Sequence, residues 1–219
     1  MNNVKWFMRY GMAAIFFFIV SSAAFSASFP NPPKESKVPA ETETAVFAGG
    51  CFWGVEGVFE HLKGVRNAEA GYSGGNADTA FYDMVSTGTT GHAESVKVTY
   101  DPSVISYGTL LKVFFSVAHD PTQLNFQGPD QGTQYRSVIF YVDTRQKNIA
   151  EEYVKILTDA KVFRLPIVTQ IVPLKAFYPA EEYHQKFMQK NPYHPYIVYW
   201  DKPKIEALRK MYPALTTGK

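Results

Sequence analysis

Apolar residues fall along this chain in short blocks whose period alternates between that of a strand and that of a helix. Residues 44–48 (TAVFA) form a short apolar run closed by Gly49-Gly50, which predicts a strand. From residue 51 to 62, Val55, Val58, Phe59 and Leu62 recur at helical spacing, so a helix starts at Cys51. A second strand is predicted over 65–72, ended by Ser73-Gly74-Gly75, and a long polar loop then runs to Thr90. Val96, Val98 and Tyr100 alternate with Ser95, Lys97 and Thr99, the pattern of a half-buried strand that Asp101-Pro102 stops. Ser106 caps a helix with an apolar face of Tyr107, Leu110, Leu111, Phe114 and Ala118, expected to reach His119 before Asp120-Pro121. A strand over 137–142 precedes a helix through Ala160 whose start, Asp143 with Gln146, resembles a capping box. A last core strand is expected over 167–172.

The order strand, helix, strand, strand, helix, strand is the split βαβ, ferredoxin-like arrangement, here extended by a further helix and strand. The predicted fold class is therefore α+β, a two-layer αβ sandwich. Beyond Pro173 the chain is rich in Pro, Tyr and His, with one convincing helix at residues 204–211, and is expected to wrap the core irregularly.

The N-terminus follows a different pattern. Lys5 and Arg9 precede a uniformly apolar stretch, residues 11–20, and then small residues through Ala27, which is the order of a secretory signal peptide. The alternative is an uncleaved anchor, since no charge occurs between Arg9 and Lys34. Residues 1–26 are assigned to the signal, 27–40 to a Pro-rich linker and 41–219 to a single folded domain outside the cytoplasm. Composition supports one domain: 219 residues with 46% hydrophobic content can bury a full core. The net charge of +2 comes from Lys5 and Arg9, so the mature domain is neutral and offers no electrostatic case for nucleic acid. A monomer is expected.

The one cysteine changes the picture most. A lone thiol in an exported chain cannot form an internal disulfide, so Cys51 is a buried bystander, an intermolecular partner or a working thiol. At a helix N-terminus, unpaired N–H groups and the helix dipole favour its thiolate. Gly50 and Gly54 beside it permit close approach of another molecule, and Phe52-Trp53 suggest a pocket for a small apolar group.

Gly50-Cys51-Phe52-Trp53-Gly54 resembles the signature of the type A peptide methionine-sulfoxide reductases. The likeness continues in order through Gly91-His92-Ala93-Glu94, His119-Asp120-Pro121-Thr122, residues 132–137 (GTQYRS) and residues 180–185 (AEEYHQ). The resemblance implies that Cys51 attacks the sulfur of methionine S-sulfoxide and becomes a sulfenic acid. It implies that Glu94 donates the proton the departing oxygen needs, provided burial raises its pKa. Tyr82 and Tyr135 match tyrosines whose hydroxyls bind the sulfoxide oxygen. Phe52 and Trp53 are expected to hold the substrate methyl group, and Asp130 to bond at the pocket edge.

His119 and His184 read as structural, and with five histidines and one cysteine at no metal-like spacing, a zinc site is not expected. No bound cofactor is expected either. The family's common C-terminal recycling cysteines have no counterpart here, so an external thiol is implied: a thioredoxin-like or glutaredoxin-like protein, or a small thiol. The rival readings are a secreted cysteine hydrolase with His119 or His184 as base, and a non-catalytic peptide-binding module. A hydrolase requires an imidazole at the sulfur; the reductase requires a carboxyl group and two phenols.

Overall fold

The computed structural model describes residues 29–35 and 41–218; the expected signal peptide, residues 1–26, lies outside them. Strand β1 (Glu43–Gly49) leads through Gly50 into helix α1 (Phe52–Glu60), and strand β2 (Val65–Ser73) follows. The expected polar loop holds a 3₁₀ turn (Ala77–Thr79) and a short helix, α2 (Tyr82–Val85), before strand β3 (Ala93–Tyr100). Four residues carry too little of a helical period to be read from their pattern.

Helix α3 (Tyr107–Val113) is capped by Ser106, whose hydroxyl accepts the Thr109 N–H, and it ends in a π-helical turn (Phe114–Ala118) with His119 extended. Strands β4 (Phe126–Gln127) and β5 (Asp130–Gln131) form a small hairpin, followed by a 3₁₀ turn (Thr133–Tyr135) and strand β6 (Ser137–Tyr141). The Asp143 carboxylate accepts the Gln146 N–H at 2.7 Å, as expected of the cap of helix α4 (Thr144–Asp159). Strand β7 (Gln170–Pro173) begins three residues later than expected. The C-terminal region carries more structure than its composition suggested: strand β8 (Tyr178–Pro179), helix α5 (Phe187–Lys190), a π-helical turn (Ile197–Asp201) and helix α6 (Lys202–Met211).

Six strands form one sheet in the order β7-β6-β1-β3-β2-β8. Strands β1 and β2 flank β3 and both run antiparallel to it, and β6 is antiparallel to β1. Among the described residues, β6–β7 is the parallel pair. The period of two along β1 divides its side chains: Ala45 and Phe47 face the helices, Val46 and Ala48 the opposite side. On the helical side Phe47 is fully buried, with ring centroids 5.1 Å from Phe59, 5.0 Å from Phe114 and 6.1 Å from Tyr107. This ring joins α1, α3 and the π turn to the sheet. Phe47→Ala is expected to cost about 3–5 kcal/mol of stability, read as a fall in Tm, because the rings around it cannot all collapse into the space.

The opposite face is covered by the chain's own return. Between β7 at one edge and β8 at the other, residues 174–177 cross the sheet, and Leu174 and Phe177 pack on Val46, Ala48, Ala93, Val138 and Phe140. The described part of the Pro-rich stretch, 29–35, is laid against α3 and α4. Tyr153 donates to the Pro30 carbonyl at 2.8 Å, Lys112 to Asn31 at 2.8 Å, and the Glu35 carboxylate accepts the Gly108 N–H at 2.6 Å.

Candidate active site

The site gathers around the junction of β1 and α1. Gly50 has φ +92°, a conformation open to glycine, and a Cβ there would lie 2.5 Å from the Gln127 side chain. Gly54 has no room either: its Cβ would lie 2.1 Å from Asp201 Oδ1 and 2.7 Å from Lys204 Nζ. The two glycines were expected to admit another molecule. They admit this chain's own Gln127 and Asp201 instead, closing the helix that Cys51 heads against the hairpin and the C-terminal turn.

Cys51 is the N-cap of α1 and is 9% exposed. Its thiol is pushed well above the ordinary range, first by burial, then by the charges of Glu94, Asp201 and Asp130, against a backbone hydrogen bond from Trp53. This corrects the expectation that the helix N-terminus favours a thiolate. A half-charge at a helix end is outweighed by loss of solvent together with three carboxyls.

Glu94 stands on β3 in phase with Val96, Val98 and Tyr100, so the strand's alternation turns it toward the helices and under the first turn of α1. Its Oε2 accepts the Phe52 N–H at 3.0 Å, and the residue is 2% exposed. Burial raises its pKa to about 8, the Phe52 N–H opposing and Asp130 adding. A carboxyl that is largely protonated at neutral pH therefore lies against the residue that follows Cys51.

The phenols of Tyr82 and Tyr135 are half-buried and raised by burial first and by Glu94 next, with Cys51 also acting on both. Both thus lie within electrostatic reach of the sulfur and the carboxyl. Tyr82 opens α2, and its N–H is held by Glu181 at 2.8 Å; the other oxygen of Glu181 accepts the Tyr72 hydroxyl at 2.8 Å. Tyr135 ends the 3₁₀ turn that Arg136 ties to the loop before β3, through the carbonyls of Gly91 at 2.8 Å and His92 at 3.0 Å. Glu181 and Arg136 thus hold in place the turns that carry the two phenols.

Phe52 is buried against Tyr72 and His184, and Trp53 stacks on Phe187 with centroids 3.7 Å apart and an interplanar angle of 8°. The Trp53 indole N–H donates to His184 Nδ1 at 3.1 Å, which leaves His184 Nε2 buried without a partner. His119 is turned elsewhere: Nδ1 bonds the Phe114 carbonyl at 2.9 Å, its ring stacks on Phe114 at 3.9 Å, and burial lowers its pKa to about 4. The Nδ1 atoms of both imidazoles are thus engaged by other groups, and the charged groups bearing on the sulfur are carboxyls.

Asp130, on β5, is half-buried and accepts the Tyr196 hydroxyl. Tyr196 and Asp201 are absent from the sequence reading, yet the Asp201 carboxyl bears on Cys51, and Cys51 in turn helps keep the Tyr196 phenol neutral. The only signal for them was the Tyr- and Pro-rich run around Pro195-Tyr196, which names no chemistry. Among the described residues no group of three His, Cys, Asp or Glu side chains could hold a metal ion.

A family model described as peptide methionine sulfoxide reductase matches residues 43–215. The chain is 59% identical over 185 residues to peptide methionine sulfoxide reductase MsrA 2 of Mesorhizobium japonicum, covering 84% of this chain and 95% of that protein. It is 50% identical over 192 residues to the Synechocystis protein of the same name, covering 86% and 90%. Among solved structures, reduced Mxr1 of Saccharomyces cerevisiae matches with a TM-score of 0.66 and 35% identity, covering 73% of this chain and 91% of that one. Methionine sulfoxide reductase A of Corynebacterium diphtheriae matches with a TM-score of 0.62 and 36% identity, covering 76% and 85%.

Proposed function

Because the chain belongs to the peptide methionine sulfoxide reductase family, type A, and so is an oxidoreductase acting on methionine sulfoxide, we propose that Cys51 carries the reaction through a sulfenic acid. The observation that carries this reading is the pairing of the one thiol with a buried, protonated Glu94 bonded to the next residue's N–H. The Cys51 sulfur bonds to the sulfoxide sulfur while the oxygen takes the Glu94 proton. The hydroxyl then passes to Cys51 as both the S–O bond to methionine and the newly formed S–S bond break, releasing the thioether, and the proton lost by the thiol returns Glu94 to its acid form. The balance is one thiol and one sulfoxide giving one sulfenic acid and one thioether.

Tyr82 and Tyr135 donate hydrogen bonds to the sulfoxide oxygen as charge builds on it. Their depressed acidity keeps both as neutral phenols, which can donate. Phe52 and Trp53 hold the methyl group, and Asp130, fixed by Tyr196, takes a polar group at the pocket edge. A three-sided arrangement of oxygen donors, methyl pocket and nucleophile selects one epimer, the S sulfoxide.

Since the 219 residues contain no second cysteine, the sulfenic acid is resolved by a thiol from another molecule, thioredoxin-like, glutaredoxin-like or small, through a mixed disulfide. The signal-like N-terminus supports export, and oxidised proteins in that compartment are the substrates to be repaired. The four strands ordered β6-β1-β3-β2 support reading the core as a ferredoxin-like split βαβ unit extended by β7 and β8.

One experiment tests the chemistry. A peptide with both sulfoxide epimers is given in one equivalent without reductant, followed by dimedone. The expected result is loss of the S epimer alone and a single dimedone adduct at Cys51. Consumption of the R epimer, or a free Cys51 thiol after one methionine has formed per protein, would overturn it.

A further inference from the structure

The carboxylate of Asp201 is fully buried beside the nucleophile, and the reaction described above gives it no task. It ends the π-helical turn Ile197–Asp201 and starts α6, whose Lys204 reaches back to its Oδ1 at 3.1 Å. The same oxygen lies against the bare Cα of Gly54, three residues after Cys51, where any side chain would collide with it. Its second oxygen, Oδ2, is buried and has no hydrogen-bond partner. Burial raises the Asp201 pKa and Lys204 opposes that rise, so a carboxylate so placed is costly to keep, and the simplest fold would have put an apolar residue there.

We propose that Asp201 is a positioning residue of the reaction centre: its carboxylate, held by Lys204 against the first turn of α1, keeps the Cys51 sulfur in its thiol form until substrate arrives. The proposal rests on Cys51 being the nucleophile. A negative charge at the N-terminal end of α1 uses the field of the helix that would otherwise stabilise a thiolate one turn away. Burial is the first cause of the raised Cys51 pKa, Glu94 the second, and Asp201 the third. The groups facing the sulfur are Glu94 from β3, Asp130 from β5, Asp201 and Tyr196 from the C-terminal turn, and the Tyr82 and Tyr135 phenols. Those facing Asp201 are Lys204 and Asp130. Lys204 offsets part of both aspartate charges, so the pair tunes the site without leaving an unpaired ion in the core.

Chemically, the arrangement protects a lone thiol. Peroxide attacks a thiolate far faster than a thiol, and oxidation past the sulfenic acid is irreversible for an ordinary cysteine. The substrate brings its own remedy, because the Glu94 proton given to the sulfoxide leaves a carboxylate able to take the thiol's proton.

The test is the pH dependence of Cys51 alkylation by iodoacetamide in the intact protein, with no sulfoxide present. The midpoint of the profile reports charge at the sulfur, and the limiting rate at high pH reports access. Asp201→Asn is expected to lower the midpoint, making Cys51 more reactive than in the wild type at pH values below both midpoints. An unchanged or raised midpoint, or a change confined to the limiting rate, would overturn the proposal. If Asp201→Asn does not fold, the double variant Asp201→Asn with Lys204→Met removes the ion pair together, and its midpoint is expected to fall in the same direction; an unchanged midpoint there counts against the proposal equally. Because the readout needs no turnover, failure of the reductase reading would appear separately, as a missing dimedone adduct in the sulfoxide experiment.

Discussion

Cys51→Ser is expected to abolish methionine sulfoxide reduction while leaving the fold in place. Serine nearly matches the thiol in volume, and at the N-cap of α1 it is a favoured residue, so the helix keeps its start. The chemistry does not survive the exchange. A hydroxyl is a far weaker nucleophile toward sulfur, and if it received the sulfoxide oxygen it would have to become a hydroperoxide instead of a sulfenic acid. With one cysteine in the chain, no second thiol can substitute. The expected loss is roughly 10⁴-fold or more, the scale seen when a nucleophile is removed. It is measured as methionine formed in a single turnover with reductant present, and Tm should move by no more than the cost of a partly satisfied buried hydroxyl, about 1–3 kcal/mol. Substantial residual turnover in a folded variant would remove Cys51 from the mechanism.

Glu94→Gln is expected to slow reduction by roughly 10²-fold or more, a usual size for acid catalysis. The amide carbonyl can still accept the Phe52 N–H, so the first turn of α1 keeps its anchor. What is lost is an acidic proton beside the sulfoxide oxygen. Since burial lifts Glu94 to about 8, the acid form predominates at neutral pH and disappears as pH rises through that value. The wild-type single-turnover rate should therefore fall above about pH 8, and the variant should be slow and lack that limb. Wild-type rates in the variant across the whole range would exclude the role.

The same shift has a consequence for stability. Unfolding returns the carboxyl to an ordinary pKa near 4.5, so the folded protein holds a proton that the unfolded chain releases between that value and about 8. The stabilising contribution of this group is complete below 4.5 and is lost as pH rises through 8. Tm of Glu94→Gln should accordingly fall less steeply over that window than Tm of the wild type.

Much of this molecule could be read along the chain. The period-two alternation before Asp101 places β3, and because Glu94 shares the phase of Val96 and Val98, it also places that carboxyl on the helical face. The run closed by Gly49-Gly50 places Cys51 at the head of a helix, and the motif GCFWG names its chemistry by resemblance. These are local properties: a strand's face and a helix's start depend on neighbours a few residues away.

The protonation state of the site is not local, and there the local argument failed. A helix N-terminus by itself favours a thiolate. Folding adds burial, brings Glu94 from 43 residues away, and seats Asp201 from the far end of the chain against Gly54. The same closure turns His184 onto Trp53 across 131 positions and Tyr196 onto Asp130 across 66. Sequence by itself determined the order of elements, the identity of the thiol and the phase of the acid. Only the tertiary structure decided which charges meet at the sulfur, because loss of solvent and the approach of carboxyls depend on distances between segments, which no period along the chain records.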